Sequence, residues 1–160
     1  MKPHILLRRI RLCIWIIIIG LLLSGITAFP LETELTLLKE QLSMNNPFYF
    51  WIDTIDNALK ITNRQFPYLA YGTDWLAFAH IVIAVAFIGP LKDPVKNIWV
   101  IEFGMIACAM IFPLAFIAGA VRRIPIYWRL IDCTFGLIGF FPLYYCRRSI
   151  LKLSNISPKH

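Results

Sequence analysis

An uncharged apolar run lies near the N-terminus of this chain and reads LCIWIIIIGLLLSGITAF over residues 12–29. Its 18 residues approach the roughly 20 that an α-helix needs to cross about 30 Å of hydrocarbon. Comparable apolar segments follow at residues 69–88, 98–119 and 128–146. Four membrane spans are therefore predicted, and an ordinary water-soluble fold is excluded.

The composition agrees with a membrane protein. Of the 160 residues, 59% are hydrophobic and 16% are charged, whereas a soluble domain is typically about half apolar and about a quarter charged. The formal net charge is +7, with 16 lysines and arginines against nine acids. In so apolar a chain we expect these cations to face anionic lipid headgroups, so membrane lipids are the predicted partners and nucleic acid is not.

The charges beside the spans predict the topology. Lys2, Arg8, Arg9 and Arg11 precede the first span, which favours a cytoplasmic N-terminus. On that topology the cytoplasmic segments carry ten cations and two acids, and the outer segments carry six cations and seven acids, which gives +8 against −1. The prediction is a multi-pass protein of the inner (cytoplasmic) membrane with both termini in the cytoplasm.

A cleaved signal peptide is the alternative interpretation of residues 12–29. The basic leader and the small residues near Ala28 fit a signal peptide, but the apolar run is longer than usual and no A-x-A pattern closes it. An uncleaved membrane anchor is therefore favoured.

The outer segment at residues 30–67 has a helical periodicity of its own. Leucines recur at helical spacing in its first half, at Leu31, Leu35, Leu38 and Leu42. After a break at residues 45–47, a second stripe is formed by Trp51, Ile55 and Leu59. The predicted fold class is all-α: an integral membrane four-helix bundle in a single domain over residues 1–160, with these two short amphipathic helices in the outer loop between spans 1 and 2.

Ionisable side chains inside the spans are the candidates for a functional site. Each costs several kcal/mol in lipid, so each is expected either to be paired with another group or to serve a function. They are Asp74 and His80 on the second span, Glu102 on the third and Asp132 on the fourth. Interhelical hydrogen bonding is the structural alternative for His80 and for Glu102, with Tyr144 or Tyr145 as the partner of Glu102.

The two aspartates are expected near the outer ends of their spans. Arg129 lies one helical turn before Asp132 and is well placed to pair with it. We assign Asp74, Asp132 and Arg129 as the catalytic candidates. The binding candidates are His80, Glu102, Arg122, Arg123, Tyr71 and Tyr127. Interface ion pairing and headgroup contact remain the alternatives for these charges.

Several kinds of chemistry have no matching motif in the sequence. It contains no C-x-x-C, no histidine cluster, no P-loop, no G-x-S-x-G and no G-x-G-x-x-G. We therefore predict no metal and no cofactor. A redox subunit with haem or a quinone near His80 is the alternative. Ligation of haem by two imidazoles would need His80 from two copies of the chain, because no other span carries a histidine.

One block of the sequence carries a resemblance. The stretch from Tyr71 to Cys133, which begins YGTDWLAFAHIVIAVAFIGPLKDP and ends IPIYWRLIDC, resembles a family of small uncharacterised bacterial inner-membrane proteins with four spans. The segment LLLSGITAFPLETEL matches more weakly. The resemblance implies a four-span membrane protein and implies no activity.

Two functional interpretations follow. The first is a lipid-binding or accessory bundle without catalysis, either as a homo-oligomer or attached to a larger membrane complex. The alternative is a membrane-embedded enzyme or a proton-coupled carrier for an apolar substrate, in which the intramembrane carboxylates act as acid and base. Close-packing stripes of small residues favour the first interpretation. On the fourth span, Asp132, Gly136 and Gly139 are predicted to share one face.

Overall fold

The structure of the protein is a computed structural model that describes residues 3–156; Lys2 and the end of the predicted cytoplasmic tail lie outside this range. Within it the chain is helical and contains no strand. The α-helices are α1 (Pro3–Ala28), α2 (Leu31–Gln41), α3 (Tyr49–Gln65), α4 (Ala70–Ala86), α5 (Ile88–Lys92), α6 (Ile98–Val121) and α7 (Ile126–Ile156), with one 3-10 turn at Pro67–Leu69.

Four helical stretches are long and apolar enough to cross a membrane. They are Pro3–Ala28, Pro67–Lys92, Ile98–Val121 and Ile126–Ile156. Each contains one of the predicted spans almost entirely, so the four spans and the all-α four-helix-bundle class are confirmed. The two amphipathic helices predicted between the first two spans are also present, as α2 and α3.

One predicted helix end is wrong. The second span is predicted to end at Gly89-Pro90; α4 ends just before these residues, at Ala86, and a short helix, α5, contains both, because proline needs no N–H partner in a first turn. The fourth helix is predicted to halt at Arg147 and Arg148, but α7 continues to Ile156, because arginine favours a helix. Arg147 makes an ion pair there, and Arg148 lies over the ring of Tyr144.

The described chain forms two compact units, one of residues 3–19 and 84–156 and the other of residues 20–83. The first unit is organised around the contact between α6 and α7. A Cβ added at Gly136 would lie 2.8 Å from the Cys108 carbonyl oxygen, and one at Gly139 would lie 2.9 Å from the Cys108 sulfur. The stripe of small residues predicted on the fourth span is thus where α7 approaches α6 most closely.

The unit of residues 20–83 has an equivalent close approach between α1 and α4. A Cβ at Gly25 would lie 2.8 Å from the carbonyl oxygen of Ala77 and 2.9 Å from the Ile81 side chain. Ala77 is fully buried. A glycine therefore permits backbone contact between two membrane helices here as well.

Helices α2 and α3 pair through polar side chains, and we call them the polar hairpin. The Asp56 carboxylate is fully buried between them; it accepts hydrogen bonds from Thr36 Oγ1 at 2.9 Å, Lys60 Nζ at 2.9 Å and Lys39 Nζ at 3.3 Å. Lys39 also pairs with Asp53.

The apolar side chains of the polar hairpin lie mainly on its outside. Exposed examples are Leu37, Leu38, Met44, Phe50 and Ile61. The predicted stripe of Trp51, Ile55 and Leu59 is only half-buried, and the buried positions of α3 are Ile52 and Asp56. An amphipathic pair with charges inside and hydrocarbon outside suits a membrane interface better than water.

Candidate functional site

A groove of about 240 Å³ runs along the C-terminal part of α6, and we call it the Arg122 groove. Its walls are mainly apolar, and its charged residues are Arg122, in the loop after α6, and Asp132, on α7. The lining residues are Ile111, Leu114, Ala115, Ala118, Gly119, Arg122, Ile124 and Asp132. Of the predicted site residues, the structure brings Arg122 and Asp132 together here.

The loop that forms the polar end of this groove is a Schellman motif. The N–H of Ile124 donates to the carbonyl of Gly119 at 2.8 Å, and the N–H of Arg123 donates to the carbonyl of Ala120 at 3.0 Å. The motif places Arg123 in the left-handed region, with φ of 57°. Glycine is the usual residue at this position, so Arg123 is held in a backbone conformation that is unfavourable for its side chain.

Replacing Arg123 by glycine is therefore expected to raise the free energy of unfolding by about 0.5–1 kcal/mol, because the Cβ penalty of the left-handed conformation disappears. Thermal unfolding in detergent, followed by circular dichroism, measures the change. The neighbouring Arg122 has φ of −84° and gains nothing from glycine, so Arg122→Gly is the matched control. Equal stabilisation by both variants would contradict the assignment of strain to Arg123.

Arg129 contacts the same loop rather than the aspartate one turn away. Its Nε donates to the carbonyl of Ile124 at 2.6 Å, and its side-chain stem packs against Gly119. Among the described residues no ion pair joins Arg129 to Asp132. The pairing expected from the sequence spacing is thus replaced by a bond that fixes the loop after α6.

The polar end of the Arg122 groove has an excess of positive charge. Arg122, Arg123 and Arg129 lie within one loop and the first turn of α7, and Asp132 is the acid that lines the groove. The charge of this group is +2, from three arginines and one aspartate. Arginine forms bidentate, charge-assisted hydrogen bonds with phosphate and carboxylate groups, so the arrangement suits an anionic headgroup attached to an apolar chain.

Asp74 lines a different cavity, of about 410 Å³, in the unit of residues 20–83. The cavity is formed by the end of α1, the start of α2, the end of α3 and the start of α4. Its polar lining residues are Glu32, Thr33, Asn63, Thr73 and Asp74. We call it the acceptor cavity, because the carboxylates of Glu32 and Asp74 in its lining are hydrogen-bond acceptors.

The remaining predicted site residues lie elsewhere. His80 Nδ1 is 2.8 Å from the carbonyl oxygen of Leu76, one turn back on its own helix. Glu102 accepts a hydrogen bond from Arg147 Nε at 2.8 Å. Tyr71 is exposed and contacts the ring of Trp75 edge to face, and Tyr127 is exposed at the start of α7.

Sequence reasoning missed two groups of residues. Arg147 is predicted to end the fourth helix, but in the structure it is the partner of Glu102, in place of the expected tyrosines. Glu32 and Asn63 were not predicted to contribute to a site, and they form part of the acceptor cavity. The partners are 45 and 31 residues apart along the chain, and no local pattern marks pairs at such separations.

No group of three histidine, cysteine, aspartate or glutamate residues placed to hold a metal ion occurs within residues 3–156. Comparison with protein-family models, with curated proteins and with solved structures finds no match for the chain. The functional assignment therefore depends on the two cavities and their side chains. The four spanning helices establish that the chain is a polytopic membrane protein.

Proposed function

We propose that this protein is a non-catalytic, lipid-binding protein of the inner membrane that holds an anionic phospholipid in the Arg122 groove. The observation that carries the proposal is the combination of apolar walls with an arginine at the polar end of one groove. A phospholipid matches both parts of the groove: its acyl chain would lie along the apolar walls, and its phosphate would lie at the arginine. Both termini are proposed to be cytoplasmic, which places this loop in the outer leaflet.

The net positive charge beside the groove favours an anionic headgroup over a neutral one. Arg122 lines the groove, and Arg123 follows it as an exposed residue of the Schellman loop. Each arginine near a membrane surface contributes about 1 kcal/mol of attraction to anionic lipid. Asp132 supplies an acceptor for a hydroxyl of the headgroup, so a glycerol headgroup is expected to suit the groove better than a choline headgroup.

An enzyme or carrier that uses Asp74 and Asp132 as an acid–base pair is less well supported. The Arg122 groove is lined by one carboxylate, that of Asp132, and by no histidine, cysteine or lysine among the described residues. Acid–base chemistry by a pair of carboxylates needs both groups within hydrogen-bond reach of one substrate. The composition of this groove therefore favours binding over catalysis there.

The test is native mass spectrometry of the full chain in nanodiscs that contain equal amounts of phosphatidylglycerol and phosphatidylcholine. We expect the wild-type protein to retain phosphatidylglycerol preferentially. Arg122→Gln is expected to lower that retention about fivefold, which corresponds to the loss of one interfacial cation. Combining it with Arg123→Gln is expected to abolish the preference.

Arg64→Gln is the matched control, because Arg64 is exposed at the end of α3 and lines neither cavity. It removes the same charge and is expected to leave lipid retention unchanged. Equal retention of the two lipids by the wild-type protein would overturn the proposal. Retention of a second protein without any lipid preference would overturn it too, in favour of an accessory subunit.

A further inference from the structure

The arginines beside the Arg122 groove carry more positive charge than one phosphodiester neutralises. Three arginines, Arg122, Arg123 and Arg129, stand against one acid, Asp132, which gives a net charge of +2. The phosphate of phosphatidylglycerol carries a single negative charge, so its binding would leave one positive charge unbalanced. A headgroup with two negative charges would neutralise the group completely, and complementary charge is a determinant of which partner a site prefers.

The side chains of these arginines have few partners within the protein. Among the described residues no ion pair involves Arg122 or Arg123, and neither side chain makes a hydrogen bond there. Arg129 binds the carbonyl of Ile124 through its Nε, which uses one of the five N–H donors of a guanidinium. Most of the hydrogen-bonding capacity of the three guanidinium groups is therefore available to a ligand.

The backbone conformation of Arg123 gives this residue a reason to be functional. Its φ of 57° lies in the left-handed region, where glycine is the usual residue and a side chain is disfavoured. Residues held in such conformations are concentrated at ligand-binding and active sites. Arg123 is exposed, so packing within the protein does not account for an arginine at this position. A contact between its guanidinium and a ligand would account for it.

The side of the membrane gives a second, independent reason. On the proposed topology the loop between α6 and α7 lies outside, where lysine and arginine are scarce in short loops. This loop nevertheless carries two successive arginines, Arg122 and Arg123, and Arg129 follows in the first turn of α7. Since these cations oppose the positive-inside rule, they do not serve to orient the chain, and binding of negative charge is the role that remains for them.

We propose that the Arg122 groove binds a lipid whose phosphate carries two negative charges, as a phosphomonoester does, and that Arg123 confers the preference for the second charge. This proposal rests on the proposed function, because the apolar chain of the lipid lies in the same groove. Arg122 binds the phosphate at the groove, and Arg123, the next residue of the loop, supplies the additional positive charge.

The chemistry of the phosphomonoester matches these two residues. It carries about 1.5–2 negative charges at pH 7, and its terminal oxygens accept charge-assisted hydrogen bonds from guanidinium groups. The same phosphate occurs on two kinds of apolar chain. The lipid is either a diacyl phosphatidic acid or a single-chain prenyl phosphate.

The experiment compares phosphatidic acid with phosphatidylmethanol, its methyl ester, which has the same acyl chains and a single negative charge. Native mass spectrometry measures the retention of both lipids by the full chain, in nanodiscs of phosphatidylcholine that contain them in equal amounts at pH 7.5. We expect the wild-type protein to retain phosphatidic acid about fivefold more than the methyl ester, which corresponds to one additional charge beside an arginine. A parallel sample with equal amounts of phosphatidic acid and geranylgeranyl phosphate shows which of the two chains the groove prefers.

Three variants locate the preference at Arg123. Arg123→Gly removes the guanidinium and relieves the strained backbone, so it is expected to unfold at a higher temperature than the wild type and yet to lose the fivefold preference. Arg123→Lys keeps the charge and is expected to keep most of the preference. Arg64→Gln removes a cation that lines neither cavity and is expected to leave the preference unchanged.

Equal retention of phosphatidic acid and its methyl ester by the wild-type protein would overturn this proposal. A fivefold preference that persists in a folded Arg123→Gly variant would overturn it too. In either case the proposed function stands if both anionic lipids are still retained over phosphatidylcholine, because that comparison depends on one negative charge only. Equal retention of all three lipids would overturn both proposals.

Discussion

Replacing Gly136 by leucine is expected to lower the free energy of unfolding by about 3 kcal/mol or more. A Cβ at this position lies 2.8 Å from the carbonyl oxygen of Cys108, which is closer than van der Waals contact permits. The obstructing atom belongs to the backbone of α6, so no side-chain rotation relieves the overlap. The two helices must separate, and the buried contacts on either side of Gly136 are then lost.

Unfolding in detergent, followed by circular dichroism as the fraction of a denaturing surfactant increases, measures this effect. Gly136→Ala is expected to cost about 1–3 kcal/mol, because only one methyl group has to be accommodated. Gly20→Leu is the matched control: a Cβ at Gly20 meets no atom within 4 Å, and leucine favours a helix more than glycine does. Comparable losses for Gly136→Leu and Gly20→Leu would contradict the close approach of α6 and α7.

Asp56→Asn is expected to have the second largest effect, a loss of about 2–3 kcal/mol of stability in the polar hairpin. The carboxylate is fully buried and accepts bonds from Lys60, Lys39 and Thr36. An asparagine at this site removes the negative charge and leaves the Lys60 ammonium without an ionic partner. Limited proteolysis of the hairpin and unfolding in detergent both report the change.

Glu40→Gln is the control for charge alone, because Glu40 is exposed on α2 and makes no ion pair among the described residues. It is expected to change stability by less than about 0.5 kcal/mol. An equal loss in both variants would mean that net charge, rather than the buried contacts of Asp56, determines the stability of the hairpin.

The stability contributed by Asp56 is also expected to depend on pH. The hydrogen bond from Lys60 is the main cause that lowers the pKa of Asp56 below its usual 3.8, with Thr36 and Lys39 adding to it against the opposing effect of burial. A carboxylate whose pKa is lowered by folding contributes fully above the pKa of the unfolded chain, about 3.9, and progressively less as the pH falls through the lower, folded value. The difference in stability between wild type and Asp56→Asn is therefore expected to be constant from pH 7 to pH 5 and to shrink below pH 4. A difference that grew on acidification would contradict this sign.

The positions of the spanning helices could be predicted from the sequence because crossing hydrocarbon requires a long uncharged run. Rotation of each helix about its axis is a different problem. In lipid the outward face is as apolar as the inward face, so hydrophobicity no longer marks the core. Small residues remained informative, since the predicted face with Asp132, Gly136 and Gly139 does approach α6.

Because the sequence does not determine the rotation of each helix, the contacts within the polar hairpin and the candidate sites could not be predicted fully either. Periodicity in residues 30–67 predicted two amphipathic helices, but it does not determine which of their faces meet. Asp56 lies opposite the apolar stripe of Trp51, Ile55 and Leu59 in the sequence pattern, yet it is fully buried. Arg129 and Asp132 have the spacing of an ion pair, yet the carbonyl of Ile124, in the loop after α6, accepts the hydrogen bond from Arg129 Nε.

Helix α7 is longer than a membrane is thick. Its 31 residues extend about 46 Å, against about 30 Å of hydrocarbon, so roughly 16 Å of helix remains for the aqueous phase unless the helix tilts. Buried positions at Ser149, Ile150 and Leu153 show that this part is packed rather than frayed. This part of α7 is therefore a rigid extension of the helix. A fluorophore attached at exposed Leu151 or Lys152 would report its distance from the bilayer surface, and motion of a flexible linker would add little uncertainty to that distance.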